Sequence, residues 1–371
     1  MRRKPDPQET HSGEGILPGQ RLRGRGAASN RAGRYEAQAA VAAHDGWDIP
    51  EEQHLVRTEV RLEQPRSALS YNSSPDLPFD RSINPYRGCE HGCIYCFARP
   101  SHAYLNLSPG LDFETRLIAR PGIGAVLSRE LAAPRYRVAT VAMGTNTDPY
   151  QPCDAEHAVT REVLSVLAEH RHPVGIVTKG TLIERDIDIL SQMARDRLVR
   201  VGISVTTLDP DLSRRMEPRA PLPARRIEMI RRLSEAGIEV RVMVAPVVPG
   251  LTDPEIDPIL EAAAEAGAIA ANWIMLRLPG EVAPLFREWL EARLPAPRAA
   301  KVLARVRETH GGRDYDPAWG KRMRGEGTWS NLIGRRFDLA IRRLGLDRDL
   351  PPLRTDLFRL PPRAGDQLSL F

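Results

Sequence analysis

Three of the four cysteines fall within eight residues, in the run Cys89-Glu90-His91-Gly92-Cys93-Ile94-Tyr95-Cys96. The spacing is C-x3-C-x2-C, with an aromatic residue directly before the last thiol. Three thiolates in one loop can hold three corners of a cuboidal iron–sulfur cluster and leave the fourth iron open to a ligand. Gly88 and Gly92 let the backbone turn tightly around such a group. A structural zinc site wants four protein ligands, often as two separated pairs. Here the fourth would have to be His91, His102 or the distant Cys153. A disulfide framework spreads its cysteines over a small secreted chain. Clustered thiols in a 371-residue chain point instead to metal ligation and a cytoplasmic location.

Such a loop needs a scaffold. From about residue 81 short β-branched runs alternate with helical patterns. Strands are expected over 83–87, 137–143, 174–178, 200–205, 239–245 and 271–276, and helices over 155–169, 182–196, 224–236 and 254–266. Asp154 and Thr181 stand where N-caps belong, and Gly237 and Gly267 where C-cap glycines belong. Six strand–helix units imply a parallel sheet in an α/β fold. Closing such units gives a barrel or partial barrel with its chemistry at the C-terminal ends of the strands.

Around this core, residues 81–312, the expected parts are a disordered basic tail (1–40), an extended lead-in (41–80), a helical extension (313–350) and a Pro-rich tail (351–371). The extension holds Leu332, Ile333, Phe337, Ala340, Ile341 and Leu344 at helical spacing over 329–345. Arg335, Arg336, Arg342 and Arg343 lie on the other side, and Gly345 stops the helix.

Hydrophobic residues make up 42% and charged residues 27%, enough for a real core in one large or two ordinary domains. No apolar stretch is long enough for a membrane span, and Met1 leads into no apolar run of a secretory signal. The net charge is +5. Residues 1–40 and 313–371 each carry +4, and 41–312 carries −3, which suits an enzyme with polyanion-facing ends. Only four of the 53 basic residues are Lys, so a genome-wide preference for arginine codons is the plainer source of the excess.

The pattern of Cys89, Cys93, Tyr95 and Cys96 resembles the signature of radical S-adenosylmethionine (SAM) enzymes. Thr147-Asp148-Pro149-Tyr150-Gln151-Pro152, Thr178-Lys179 and Ala245-Pro246-Val247-Val248-Pro249-Gly250 resemble the branch that includes spore photoproduct lyase, a DNA-repair photolyase-like group. The resemblance covers about residues 80–290, and 319–345 resembles the C-terminal part of other members. It implies a partial (β/α)6 TIM-type barrel and a [4Fe–4S] cluster ligated by Cys89, Cys93 and Cys96. The open iron would bind SAM. One electron from an external donor would cleave SAM to methionine and a 5′-deoxyadenosyl radical that takes a hydrogen atom from the substrate. The protein's share is binding, orientation and shielding.

Further roles follow from position. Thr145, Asn146, Thr147 and Asp148 follow the second expected strand and are candidates to accept from the SAM ammonium, against a plain Asn/Asp turn. Lys179 ends the third strand and is a candidate partner of the SAM carboxylate or ribose, against a solvated lysine. Ser204 matches a family position near the ribose, against a small packing residue. Tyr95 is a candidate contact of the cluster or adenine, and Arg219 of cofactor or substrate. Gly122-Ile123-Gly124 lacks the third glycine and the preceding strand of a dinucleotide-binding loop.

One departure bears on the reaction. Spore photoproduct lyase uses a cysteine on its second strand as hydrogen-atom donor, and residues 138–144 here contain none. Cys153 lies beyond, where a buried free thiol is expected. The chain ends Gln367-Leu368-Ser369-Leu370-Phe371, which resembles the pentapeptide that docks bacterial polymerases and repair proteins on the β sliding clamp. An apolar tail packing on its own barrel is the alternative. The expectation is therefore a radical SAM enzyme acting on DNA or nucleotides. The alternatives are radical SAM modification of RNA or a protein side chain, and a zinc-binding nucleic-acid module tethered to the clamp.

Overall fold

The structure, a computed structural model, describes residues 24–31, 33–35 and 57–361. The pentapeptide 367–371 lies outside them. Seven strands form the main sheet: β1 (Leu69–Tyr71), β2 (Arg81–Ile83), β3 (Val141–Met143), β4 (Val174–Thr178), β5 (Val199–Ser204), β6 (Val240–Val247) and β7 (Ala270–Met275). They lie in the order β7-β6-β5-β4-β3-β2-β1. Strands β2 to β7 are parallel, and β1 joins antiparallel to β2. The sheet does not close, so the expected partial barrel is an open arc of six parallel strands. Its central strands are nearly continuous apolar runs because helices cover the sheet. Among the described residues no helix is long and apolar enough to cross a membrane.

Several expected elements are corrected. The first strand, read as 83–87, is cut in two. Pro85 has no N–H to give a ladder, so β2 stops at Ile83, and Tyr86–Arg87 turns away to pair with Arg116–Ala119 in a side sheet. That sheet also takes Glu59–Leu62, from the stretch read as a mere lead-in. The helix read as 155–169 breaks at Ala158, which has φ +50°. Asp154 is no cap but the first residue of the short piece Asp154–His157, and its carboxylate accepts from the Thr160 N–H of the second piece, Val159–Glu169, at 3.1 Å. Thr181 is no cap but the first residue of a 3-10 turn, Thr181–Asp186, that precedes Ile187–Arg195. Gly237 and Gly267 take the left-handed conformation, at φ +78° and +96°. The helix Ile123–Leu131 had no counterpart in the reading, and its start holds the two glycines of the rejected dinucleotide motif. The Gly122 and Gly124 N–H groups are already occupied by the Glu162 carboxylate, at 3.1 and 2.8 Å.

Both expected tails are partly ordered. Arg25, Gly26 and Ala27 are buried against the thiol loop. Leu353 is buried too, and the Arg354 and Arg359 N–H groups bond the Arg197 and His170 carbonyls at 3.0 Å each. Phe358 sits among Tyr136, His170 and His172, with centroids 5.8, 6.5 and 5.5 Å away. This strap crosses the base of the sheet, beside the N-terminal ends of β3, β4 and β5. An apolar side chain wedged between rings outweighs the extended tendency of neighbouring prolines.

The long helix Gly327–Leu344 ends at Gly345, with φ +66°. Ile333, Phe337 and Ala340 are buried as read, but Leu332 is exposed. The arginine face is not all free. Arg336 pairs with Asp257 and bonds the Asp253 and Pro254 carbonyls, and Arg343 pairs with Glu261 at 2.8 Å. Replacing Phe358→Ala removes a half-buried ring from the base strap. The expected loss is about 2 kcal/mol, read as a lower midpoint in urea unfolding without loss of secondary structure.

Candidate functional site

The cysteine loop begins six residues after β2, at the C-terminal end of the sheet. Gly88 and Gly92 both have positive φ, +77° and +65°. A side chain on Gly88 would strike Leu117 and the Phe113 carbonyl, and one on Gly92 would strike the Glu114 carboxylate. The loop therefore needs glycine at both places for conformation and for space. It is held by backbone bonds from Cys89 N–H to the Phe113 carbonyl, 2.9 Å, and from Ile94 N–H to the Met216 carbonyl, 3.0 Å.

The strongest anchor is Arg99, fully buried just beyond the last cysteine. Its guanidinium donates to the carbonyls of Cys93 (3.0 Å), Gly92 (3.2 Å), Pro109 (3.0 Å) and Gly110 (2.8 Å), and pairs with buried Glu114. Glu114 also accepts from the Gly26 and Ala27 N–H groups, at 2.9 and 2.8 Å. The three residues between Cys89 and Cys93 are fixed as firmly. Glu90 accepts from Thr58 at 2.7 Å and pairs with Arg219 at 2.7 Å, and its N–H donates to Gln151 at 2.8 Å. His91 Nδ1 lies 3.3 Å from Asp148.

All four cysteines are free thiols, and Cys89, Cys93 and Cys153 are buried. Burial pushes the Cys89 thiol well up. Cys93 rises to about 12 by burial, against the pull of the Lys179 ammonium. Among the described residues no three His, Cys, Asp or Glu side chains converge closely enough for a single ion. A cuboidal cluster asks for one thiolate per iron corner instead. Three free thiols on one glycine-turned loop fit that demand. The candidates for a fourth zinc ligand are committed elsewhere. His91 faces Asp148, His102 Nε2 lies 3.0 Å from the Arg116 carbonyl, and Cys153 packs in the apolar core.

Beneath Cys93 lies a second buried network. The Tyr95 hydroxyl donates to Glu217 and lies 3.2 Å from Thr206, whose own hydroxyl donates to Glu217 at 2.9 Å. Arg226, fully buried, pairs with Glu217 and donates to the Ser204 carbonyl at 3.2 Å. The Lys179 ammonium stands 5.7 Å over the Tyr95 ring. Burial alone would push the Glu217 carboxyl up, but Arg226 and Lys179 overcome it and hold it at about 2. Burial likewise pulls Lys179 down, yet Cys93 and Glu217 hold its ammonium above the usual value. Lys179 is thus a cation kept at the strand end beside the thiol loop.

The residues singled out from the sequence divide in two. Tyr95, Lys179 and Ser204 meet around Glu217, close under Cys93, while Arg219 lies on the outer side of the loop against Glu90. Thr147 and Asp148 are already engaged. Thr147 donates to the Gly88 carbonyl at 2.6 Å. Asp148 accepts from the Thr178 hydroxyl (2.6 Å) and from the N–H groups of Lys179 (2.8 Å) and Tyr150 (2.9 Å). These partners and His91 outweigh burial and hold Asp148 at about 2. Both residues position the loop and Lys179, with little accepting capacity left. Thr145 and Asn146 lean on Asn84, at 3.5 and 3.2 Å. The reading missed Glu90, Arg99, Glu114, Gln151, Thr206, Glu217 and Arg226. Glu90 and Gln151 stand inside the quoted runs and Glu217 two positions before Arg219, whereas Arg99, Glu114, Thr206 and Arg226 carried no local signal.

Residues 83–263 match the family described as the radical SAM superfamily. An uncharacterized protein of Mycobacterium tuberculosis (strain H37Rv) is 40% identical over 243 residues, covering 65% of this chain and 70% of its own. One of Methanocaldococcus jannaschii is 25% identical over 173 residues, 47% of this chain and 62% of its own. A cysteine-to-serine mutant of spore photoproduct lyase superposes with a TM-score of 0.52 at 15% identity, covering 77% of this chain and 78% of its own. A double mutant of the same lyase with bound AdoMet and dinucleoside spore photoproduct gives 0.53 at 14%, over 77% and 78% again. At these identities the likeness is one of fold.

Removing one member of a buried pair leaves an uncompensated charge, so Arg226→Met should cost about 3–5 kcal/mol at neutral pH. Glu217 titrates lower in the fold than in the unfolded chain. Its stabilisation is therefore present above the ordinary carboxylate range and lost as pH falls toward about 2. Urea midpoints measured against pH should show a drop through that window in the wild type and a flatter acid limb in Arg226→Met.

Proposed function

The chain belongs to the radical SAM superfamily, and on that premise we propose that it uses Cys89, Cys93 and Cys96 to hold its [4Fe–4S] cluster and acts on DNA or nucleotides in repair. The observation that carries the site assignment is the glycine-turned loop of three free thiols at the C-terminal end of the sheet. The superfamily's cluster and SAM supply a 5′-deoxyadenosyl radical by one-electron cleavage of SAM. The chain's own residues bind, orient and exclude water. Lys179, held charged beside Tyr95, faces the SAM carboxylate or ribose. Asp148 and Thr147 set the position of Lys179 and the loop. Tyr95, tied through its hydroxyl to Glu217, presents its ring to the cofactor. Ser204, at the end of β5, and Arg219, on the rim, border the same space, with Thr145 and Asn146 beyond. Keeping the site dry matters because a primary carbon radical abstracts from whatever it meets.

The repair reading draws on the shared fold with spore photoproduct lyase and on the terminal pentapeptide. The lyase reaction itself is not carried over. No cysteine stands on 138–144, and Cys153 is buried in the apolar core. Gln367, Leu368, Ser369, Leu370 and Phe371 are the proposed clamp-docking peptide, tethered beyond the base strap.

Anaerobic reconstitution should yield about four irons per chain and SAM cleavage on reduction, with cleavage stimulated by DNA. Cys93→Ala should lose the cluster absorbance and cleavage together, and cleavage that survived would sink the thiol assignment. Separately, deletion of 367–371 should abolish capture by immobilised sliding clamp while iron content stays unchanged.

A further inference from the structure

Phe97 directly follows the last cluster cysteine, yet its ring is 43% exposed. The Arg277 guanidinium lies 4.6 Å from the ring centroid. Arg277 comes two residues after β7, at the same end of the sheet as the thiol loop. Its polar contacts are uncharged and long, Met323 Sδ at 3.5 Å and the Tyr315 hydroxyl at 3.5 Å. Its Nε is buried without an acceptor, and among the described residues no carboxylate pairs with it.

Two more exposed rings come from segments that adjoin the loop after β7. Tyr104, on the 3-10 turn Arg99–Leu105, and Tyr35, from the N-terminal segment, pack 5.3 Å apart. They are 72% and 53% exposed. Gly280, just past Arg277, lies against the Arg34 guanidinium and Pro100, and Arg34 bonds Glu281 at 3.0 Å. The N-terminal segment, the turn after the thiol loop and the loop after β7 therefore meet in one ridge. In a chain with only 5% aromatic residues, three exposed rings on segments at this end of the sheet are a concentration that core burial does not explain.

Ring faces interleaved with guanidinium donors are the means by which proteins hold single-stranded nucleic acid, since every base has a π-face and every link a phosphate. We propose that this ridge binds an unpaired stretch of polynucleotide, bases stacking on Phe97, Tyr104 and Tyr35 while Arg277 takes a backbone phosphate. The proposal rests on the nucleic-acid reading above and specifies the form the substrate takes. A duplex hides its base faces and offers nothing to stack.

The test is fluorescence anisotropy of the anaerobic holoenzyme with labelled strands of about 16 nucleotides. Single-stranded DNA, single-stranded RNA and duplex are compared, with heparin as a charge-only competitor. A single strand should bind more tightly than the duplex, the two sugars distinguishing which polynucleotide is taken. Phe97→Ala and Tyr104→Ala should each weaken binding about ten-fold. Arg277→Gln should weaken it and lower the slope of log affinity against log salt by about 0.7. Tyr71→Ala, an exposed ring at the other end of the sheet, should change nothing, and visible absorbance and iron content report the fold of each variant. Tighter duplex binding, wild-type affinity in the ridge variants, or displacement by heparin as effective as by the unlabelled strand overturns the proposal. A strand that binds the ridge without stimulating SAM cleavage leaves the ridge standing and removes the repair reading. Stimulation that ignores the ridge substitutions does the reverse.

Discussion

The site depends on one buried ion pair, Arg99 with Glu114. A loop that must offer three thiols at once cannot also pair its own backbone in regular structure, so its carbonyls need donors from elsewhere. Arg99 provides them to Gly92 and Cys93 and, beyond the loop, to Pro109 and Gly110. A guanidinium never gives up its charge in a protein, so burying it requires an anion and a full set of acceptors. Glu114 is that anion, and its own oxygens are filled by the Gly26 and Ala27 N–H groups. The N-terminal segment is drawn onto the loop for this reason, although its composition gives it little core of its own.

The same accounting governs the floor of the site. Lys179, Glu217, Arg226, Tyr95 and Thr206 form one buried network in which each charge is answered by another. The surplus is cationic and lies next to the thiols, which become anionic when they ligate metal. Cluster thiolates and a strand-end ammonium then stabilise each other in a medium of low polarity. Asp148 does the same on the other side, trading its acceptor capacity for the position of Lys179 and His91.

The charge distribution takes on a different meaning once ion pairs are seen. The basic excess after residue 313 looked like a polyanion-facing helix, but Arg336 and Arg343 are spent on Asp257 and Glu261. Those pairs bind the long helix to Ile256–Glu265 and so to the edge of the sheet. Among the described residues Arg277, at the site end, is a guanidinium with no carboxylate partner, and no charge count along the chain would single it out.

The chemistry-bearing loop, the run of parallel strands and the two C-cap glycines were legible in the sequence because each rests on local rules. Thiol spacing, apolar runs and positive-φ glycines involve residues a few positions apart. The broken first strand was legible in principle from Pro85, and the broken helix at Ala158 was not, since alanine carries no signal for φ +50°. Packed tails, the Arg99–Glu114 hub and the Glu217–Arg226 floor could be decided only by the tertiary structure. Glu114 also takes the Gly26 N–H from 88 residues away and Glu217 the Tyr95 hydroxyl from 122, and even for the nearer pairs, whether an arginine is a solvated surface charge or a buried anchor depends on what folding brings around it. Composition fixes how many charges there are; the fold alone determines which of them lose water and must be paired.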